Sequence, residues 1–411
     1  MNSGSARHCR LAIAYVACGV LAFLLGASAW SATAELPGEA LEQVVVQDYG
    51  FEKTLLTFAR ERLGLFGRGA ALPDEHPIVS VLGMILRQNE WRKRPLFKIH
   101  HPALIAMFGH RKLICADDFL NDSALQQLRH LVQTQPNAEP AVSDLDRRVH
   151  ALLDVKSGLA IVPRAGEEWL SPYEVRKEQA ATGAVQGAIV AAYADVCRAF
   201  LEDDPKEFAK TAENLARLNR TAAEQAGAHP FRLRVDRINT QLQPFSQSAV
   251  LYLLATMVYV AALLAGRRAI ATAGFALMVA GFAAHAAGLI FRTVLVGRAP
   301  MANMYESLVV AVAGTVLLAI VLDRIYKNPL IGLAGVLLGF VFMVIAVKMP
   351  LHQSRIAPLR PALQSSWLTY HVTTVMLSYS AFALSFLVSV VYLLRRAAAG
   401  NGGRARLLKA L

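Results

Sequence analysis

Residues 246–269 read SQSAVLYLLATMVYVAALLAGRRA. From 247 to 265 no residue is charged, and a glycine and two arginines close the run. The hydrocarbon core of a bilayer takes about 20 helical residues, so the stretch reads as a membrane-spanning helix. Four more runs of this kind follow, over 269–290, 304–322, 329–347 and 367–394. Composition agrees, because 55% of the 411 residues are hydrophobic, too many for a soluble globular chain of this size. The net charge of +12 would suggest nucleic acid in a soluble protein. Here basic residues gather at the ends of spans, so the expected partner is the lipid bilayer and no nucleic acid.

The joints between spans give an orientation. Arg267 and Arg268, then Arg324 and Lys327, then the tail RRAAAGNGGRARLLKAL fall on one side, together with Arg7 and Arg10. The excess of basic residues assigns that side, and the C-terminus, to the cytoplasm. Residues 1–35 hold a further apolar run, LAIAYVACGVLAFLLGASAW, read as a membrane anchor or a signal segment. The expected fold is an all-α polytopic membrane protein of about six transmembrane helices. A large, mainly helical extracytoplasmic domain, residues 36–245, separates the first from the second, and residues 246–411 form a five-helix membrane domain. The bacterial plasma membrane is the expected location.

Within 36–245 charges are frequent, and apolar residues recur at helical spacing in SALQQLRHLVQ, DLDRRVHALLDV and AVQGAIVAAYADVCRAFLED. Asp203, Asp204 and Pro205 form a start signal for the helix KEFAKTAENLARLNRTAAEQ. Cys9, Cys18, Cys115 and Cys197 include no CxxC pair, which argues against a zinc site or a thioredoxin-like centre. Pairing of Cys115 with Cys197 stays open.

His371 lies one turn inside the last span, with Trp367 one turn before it on the same helical face and Tyr370 beside it. A titratable ring there is used, paired, or lodged among lipid headgroups. An imidazole nitrogen at the membrane lip suits axial ligation of haem iron, and an indole can stack on a flat macrocycle. An ordinary aromatic belt with a polar tip explains the same residues. His285 sits deeper, among Ala283, Ala284, Ala286, Ala287 and Gly288, where a ligand or a neighbouring helix can approach closely. His352 reads as a solvated loop residue, and His100 and His101 as structural. Arg292, Arg298, Lys348, Arg355 and Arg360 lie in the outer loops with only Glu306 near them. They serve either as headgroup contacts or as partners of an anion such as a carboxylate-bearing cofactor. In GRAPMANMYES, residues 297–307, Gly297 and Pro300 set a turn, and Asn303 caps the next helix with Glu306 as its reciprocal partner. Gly335 and Gly339 form a small-xxx-small pair for helix packing. No residue is assigned a catalytic role, and no nucleotide-binding or hydrolase motif is present.

FRTVLVGRAPMANMYESLVV and LQSSWLTYHVTTVMLSYSAFALSF resemble two segments of the CcsA/ResC cytochrome c assembly proteins of System II, the second being their W-L-x-x-H-V helix. RLRVDRINTQLQPFSQSAVLYLL is similar to the junction by which some bacteria fuse a CcsB/ResB-like part to that family. Asp236 stands where a glutamate is usual and Ile238 where a tyrosine is. The resemblance covers roughly 230–395 and is weak over 36–229. It implies a haem-handling subunit of cytochrome c assembly, a component of holocytochrome c synthase (haem lyase). Such a complex holds haem b, as substrate, at the outer face for thioether attachment to the CxxCH of apocytochrome c. It implies an axial haem ligand at His371. The family's tryptophan-rich WWD motif, second outer histidine and further membrane histidine lie beyond this sequence. The resemblance therefore implies that another assembly subunit, or more chain, supplies the C-terminal half, and that the chain is incomplete alone.

Carried onto that chemistry, Trp367 is expected against the macrocycle, Arg298, Arg355 and Arg360 at the propionates, and His285 along a haem route. The competing expectation is a non-enzymatic membrane receptor or scaffold whose extracytoplasmic domain binds a partner. A transporter is disfavoured, because the spans carry almost no charge near their middle.

Overall fold

The structure is a computed structural model. It describes residues 36–66, 75–178, 183–349, 354–356 and 365–398. The expected first span, Cys9, Cys18, His352 and Arg360 lie outside the described residues.

The N-terminal body opens with a two-stranded antiparallel hairpin, β1 (Val45–Asp48) and β2 (Phe51–Thr54), in which Asp48 faces Phe51. Thr54 then caps helix α1 (Leu55–Gly64), its hydroxyl accepting from the Thr57 N–H. Helices over Pro77–Leu86, Asp122–Thr134 and Glu139–Leu153 follow, and after them α2 (Ala184–Leu201) and α3 (Pro205–Gln225). The start of α3 is as the sequence predicts: the Asp204 carboxylate accepts from the N–H groups of Lys206 and Glu207, ahead of Pro205. Phe58, Ile78, Trp91, Leu145 and Phe208 are buried in one core. Asn219 of α3 is fully buried without cost because its amide is satisfied three times. It accepts from the Val45 N–H at 2.7 Å and donates to the carbonyls of Val45 and Ile161 at 3.1 and 2.7 Å.

Helix α2 is long and apolar enough to cross a membrane. Its stripe of Ile189, Ala192, Val196, Ala199 and Phe200 is instead buried in the core of this body. Cys115 and Cys197 are both free thiols; Cys115 caps the helix Ala116–Leu120, its sulfur accepting from the Asp118 N–H.

Helix α4 (Pro230–Leu242) joins the body to the bundle. Gln243, in the left-handed conformation, breaks the helix, and Pro244 starts the next one. Polar ties hold α4 to the body, among them a hydrogen bond between the Thr57 and Thr240 hydroxyls at 2.6 Å. Asp236 accepts from the Thr54 N–H and from the hydroxyls of Thr54 and Thr57, at 2.7–2.9 Å. Arg60 donates to the Thr240 carbonyl, and Arg237 pairs with Glu42 at 3.2 Å. The His76 hydrogen bond and the Arg237 guanidinium hold the Glu42 carboxyl below its ordinary pKa against the opposing effect of burial.

The expected spans are α5 (Pro244–Ala265), α6 (Arg268–Val296), α7 (Met304–Tyr326), α8 (Pro329–Lys348) and α9 (Ser366–Ala398). All five are long and apolar enough to cross a membrane. Among them α6 outruns its expected end, continuing through Arg292 to a left-handed stop at Gly297.

A glycine heptad fixes α5 against α6. Phe245, Tyr252 and Tyr259 recur every seven residues on α5 and sit on Gly288, Gly281 and Gly274 of α6. A Cβ at those glycines would meet the rings at 2.7, 2.8 and 3.1 Å. Seven-residue spacing running in opposite directions is the signature of antiparallel, left-handed packing, and the missing side chains let the helices approach closely. Tyr252 and Tyr259 also rest on Gly339 and Gly332 of α8, while Gly335 takes Ala319 of α7. The Tyr259 hydroxyl donates to the buried Asp323 carboxylate of α7 at 2.9 Å. Helix α9 lies against α7, where Ser380 donates to the Ala311 carbonyl at 2.7 Å.

Candidate functional site

The polar groups converge at one end of the bundle, where α6 stops, α7 starts, α9 starts and the N-terminal body packs. Asn303 caps α7 as expected, its side chain accepting from the Glu306 N–H at 2.8 Å. The other half of the expected capping box does not form. The Glu306 carboxylate, with no exposure, takes the Ala302 N–H at 2.7 Å, Nε of Arg292 at 3.0 Å and Nη1 of Arg298 at 3.1 Å. One buried anion thus holds a cation from the end of α6, a cation from the turn, and the turn's own backbone. The acceptor capacity of a carboxylate matches this demand, whereas a return bond to Asn303 would leave two guanidiniums uncompensated in a low-dielectric site.

The network extends from Arg292. Its guanidinium lies 4.9 Å from the Tyr305 ring centroid, and Nη2 donates to the carbonyls of Ser354 and Arg355 at 2.8 and 3.4 Å. The loop segment 354–356, from the connection between α8 and α9, is therefore pinned to the end of α6. Arg355 turns its guanidinium onto the ring of Tyr49, 3.9 Å from the centroid, and its Nε is buried without a hydrogen-bond partner. Of the three arginines gathered here, Arg292 and Arg298 pair with Glu306, while Arg355 stacks on Tyr49.

His371 is exposed on α9, as is Trp367 one turn before it, with 78% of its surface accessible. Two residues past the histidine, the Thr373 hydroxyl donates to the Met301 sulfur at 3.4 Å, tying the start of α9 to the turn that Glu306 holds. His285 stands apart, inside the bundle. It is fully buried; its Nδ1 lies 3.2 Å from the Tyr252 hydroxyl, and its ring stands edge-on to Phe245 with centroids 5.7 Å apart. Its Nε2 makes no hydrogen bond of normal geometry.

Of the residues singled out from the sequence, the structure brings Arg298 and Arg355 into one network with Arg292. It places His371 and Trp367 on an exposed face at that end of α9, and it buries His285 elsewhere. Among the described residues no group of three or more histidine, cysteine or acidic side chains is placed to hold a metal ion, and His101 has a buried, unpartnered Nδ1. Sequence reasoning missed Tyr49, whose contact is made only in the folded chain, and gave Glu306 too small a part. The available signal was its isolation as the one acid near five loop cations.

Residues 301–410 match a family model described as cytochrome C assembly protein. A cytochrome c biogenesis protein CcsA from Prochlorococcus marinus (strain MIT 9515) is 38% identical over 127 residues, 28% of this chain and 40% of its own length. Its namesake from Synechococcus sp. (strain CC9605) is 33% identical over 127 residues, 28% of this chain and 42% of that protein. The CcsA of Pyropia yezoensis is 34% identical over 99 residues, 24% of this chain and 31% of that protein. The chain thus spans less than half the length of these curated relatives. The matched region takes in α7, α8 and α9, with Glu306 and His371. Over residues 301–410 the chain is therefore similar to the cytochrome c assembly proteins of the CcsA type.

Proposed function

We propose that the protein is a haem-handling membrane subunit of cytochrome c assembly. In this reading it receives haem b as substrate at the outer face of a bacterial plasma membrane and presents it for thioether attachment to the CxxCH of apocytochrome c. The observation that carries the reading is His371: an exposed imidazole at the network end of α9, with an exposed indole one turn away, inside the family-matched region.

The residues fit an iron porphyrin chemically. A neutral imidazole nitrogen is an axial ligand for haem iron, and an indole supplies a flat apolar face. The arginine cluster holds more positive charge than Glu306 neutralises, and Arg355 has an unsatisfied buried donor, which suits a propionate. In this reading His371 binds the iron, Trp367 covers the ring, and Arg355, with Arg360, receives the carboxylates. Arg298 is held by Glu306 and the Ala299 carbonyl, so its part is to add field. His285, with Tyr252 against it, lines a route through the bundle. The chemistry of the substrate is its own: each vinyl group adds a cysteine thiol across its double bond.

Residues 1–35, 36–245 and 246–411 are taken as anchor or signal segment, extracytoplasmic domain and membrane domain. Arg267, Arg268, Arg324 and Lys327 at the far end of the bundle support a cytoplasmic placement of that end. Pairing with Glu306 accounts for two of the arginines that otherwise strain this rule. A periplasm-active reporter fused after Ala362 is expected to be active and one fused after Arg404 silent; the opposite pattern refutes the orientation.

Purified protein, produced with haem in supply, is expected to show a Soret band. In His371→Gly the band should fall severalfold, and added imidazole should restore it by filling the vacated ligand position. A Soret band of equal height in His371→Gly, indifferent to imidazole, rules out this residue as the ligand and the reading with it.

A further inference from the structure

The tip of the β1–β2 hairpin is built against its own sequence. Two residues, Tyr49 and Gly50, close the turn between Asp48 and Phe51, and both have positive φ, 52° and 77°. Such a turn favours asparagine or glycine in its first place. A bulky aromatic residue in the left-handed region is an outlier that persists only where its surroundings over-determine it. They do so here. Lys53, buried at the foot of the hairpin, bonds Asp48 at 3.0 Å and Glu61 at 2.7 Å, and Arg62 takes the second oxygen of Asp48 at 2.9 Å. Burial opposes the Lys53 charge, but the Glu61 and Asp48 carboxylates outweigh it and hold its pKa above the ordinary value. The tip is thus clamped from behind, and Tyr49 stands out from it against the Arg355 guanidinium.

We infer that Tyr49 is the positioning residue through which the N-terminal body holds the α8–α9 loop, keeping Arg355 turned toward an acidic substrate group. The inference rests on the proposed haem-handling role and gives the N-terminal body a part in it. Two observations made independently of that role point the same way. The loop backbone is pinned by Arg292 at Ser354 and Arg355, so only the side chain of Arg355 is left to be aimed. That side chain is stacked on a strained residue, while its own Nε has no partner. Strain at the tip has no structural use for the hairpin itself, because Asn-Gly would close the same turn at lower free energy.

The test uses the full chain, carrying Tyr49→Asn, Tyr49→Phe or His371→Gly. Tyr49→Asn restores a favourable turn, so its thermal midpoint should stay within about 2 °C of the parent or rise. Losing the cation–π contact should speed tryptic cleavage after Arg355 in haem-free protein by about fivefold. Haem retained through purification, read at the Soret band, should fall by a similar factor. Tyr49→Phe keeps the ring and should match the parent in all three. If Tyr49→Asn retains haem like the parent while His371→Gly loses it, the inference fails and the haem role stands. If both variants retain haem, the haem role itself has failed and Tyr49 positions nothing for it. A large loss of thermal stability in Tyr49→Asn, with haem retention falling equally in Tyr49→Phe, marks a merely structural residue and also overturns the inference.

Discussion

Glu306→Ala is expected to be the most damaging single change at the network end of the bundle, lowering stability by about 3–5 kcal/mol. The carboxylate has no exposure and holds Arg292, Arg298 and the Ala302 N–H. Removing it leaves two guanidiniums in a dry site with like charge for company. Glu306→Gln should lose less, because the amide oxygen can still accept from Ala302 and one arginine, while its NH2 group meets the other as a donor against a donor. Unfolding in mixed micelles, followed by helical circular dichroism, measures both. Because Arg292 pins Ser354 and Arg355, tryptic cleavage after Arg355 should rise in parallel. A change below about 1 kcal/mol for Glu306→Ala would mean that the two arginines find other partners, and the carboxylate would lose its central place.

Gly281→Leu should come next, at about 2–4 kcal/mol, since overpacking forces rings and backbone apart. The first added carbon would already lie 2.8 Å from the Tyr252 ring, and that ring is trapped between α6 and α8. Displacing it also separates its hydroxyl from His285 Nδ1. Two controls sharpen the measurement. Gly187, inside α2, has nothing within 4 Å of a Cβ, so Gly187→Ala should stabilise by about 0.5–1 kcal/mol through helix propensity alone. Adding Tyr252→Ala to Gly281→Leu should recover part of the loss, a coupling expected only of residues in contact. If Gly281→Leu unfolds with the parent, the glycine heptad is not what holds α5 to α6.

The spans were legible because a bilayer needs about 20 apolar residues and little else. Their ends were less so. The 247 start of the first of them falls three residues inside α5, because the left-handed Gln243 and Pro244 mark the break without any loss of polarity. The 290 end falls six residues short in α6, since Arg292 carries a charge that looked like a boundary. That charge is neutralised by an acid fourteen residues on. The Asn303 cap was readable as a local relation between a side chain and an amide three residues ahead. The rest of what Glu306 does was not, because its partners reach it from the end of α6 and from the turn that follows, brought together only by the fold.

At the candidate site the division is the same. Histidine one turn into an apolar helix, with tryptophan on its face, is a pattern within one element, and it gave His371 and Trp367 directly. Arg355 was found as a loose cation in a loop; that it lies on Tyr49 was hidden behind some three hundred residues of intervening chain. The small residues around His285 correctly signalled close approach, but not which ring would use Gly288.

What the sequence determined by itself is whatever follows from periodicity and transfer free energy along one segment: which stretches enter the bilayer, which form the polar body, and where helices begin. Only the tertiary structure decided which glycine receives which aromatic ring, which carboxylate answers which arginine, and where the body touches the bundle. Those pairings depend on helices meeting at a fixed register, and a register is a property of two surfaces packed together, which neither strand of sequence contains alone.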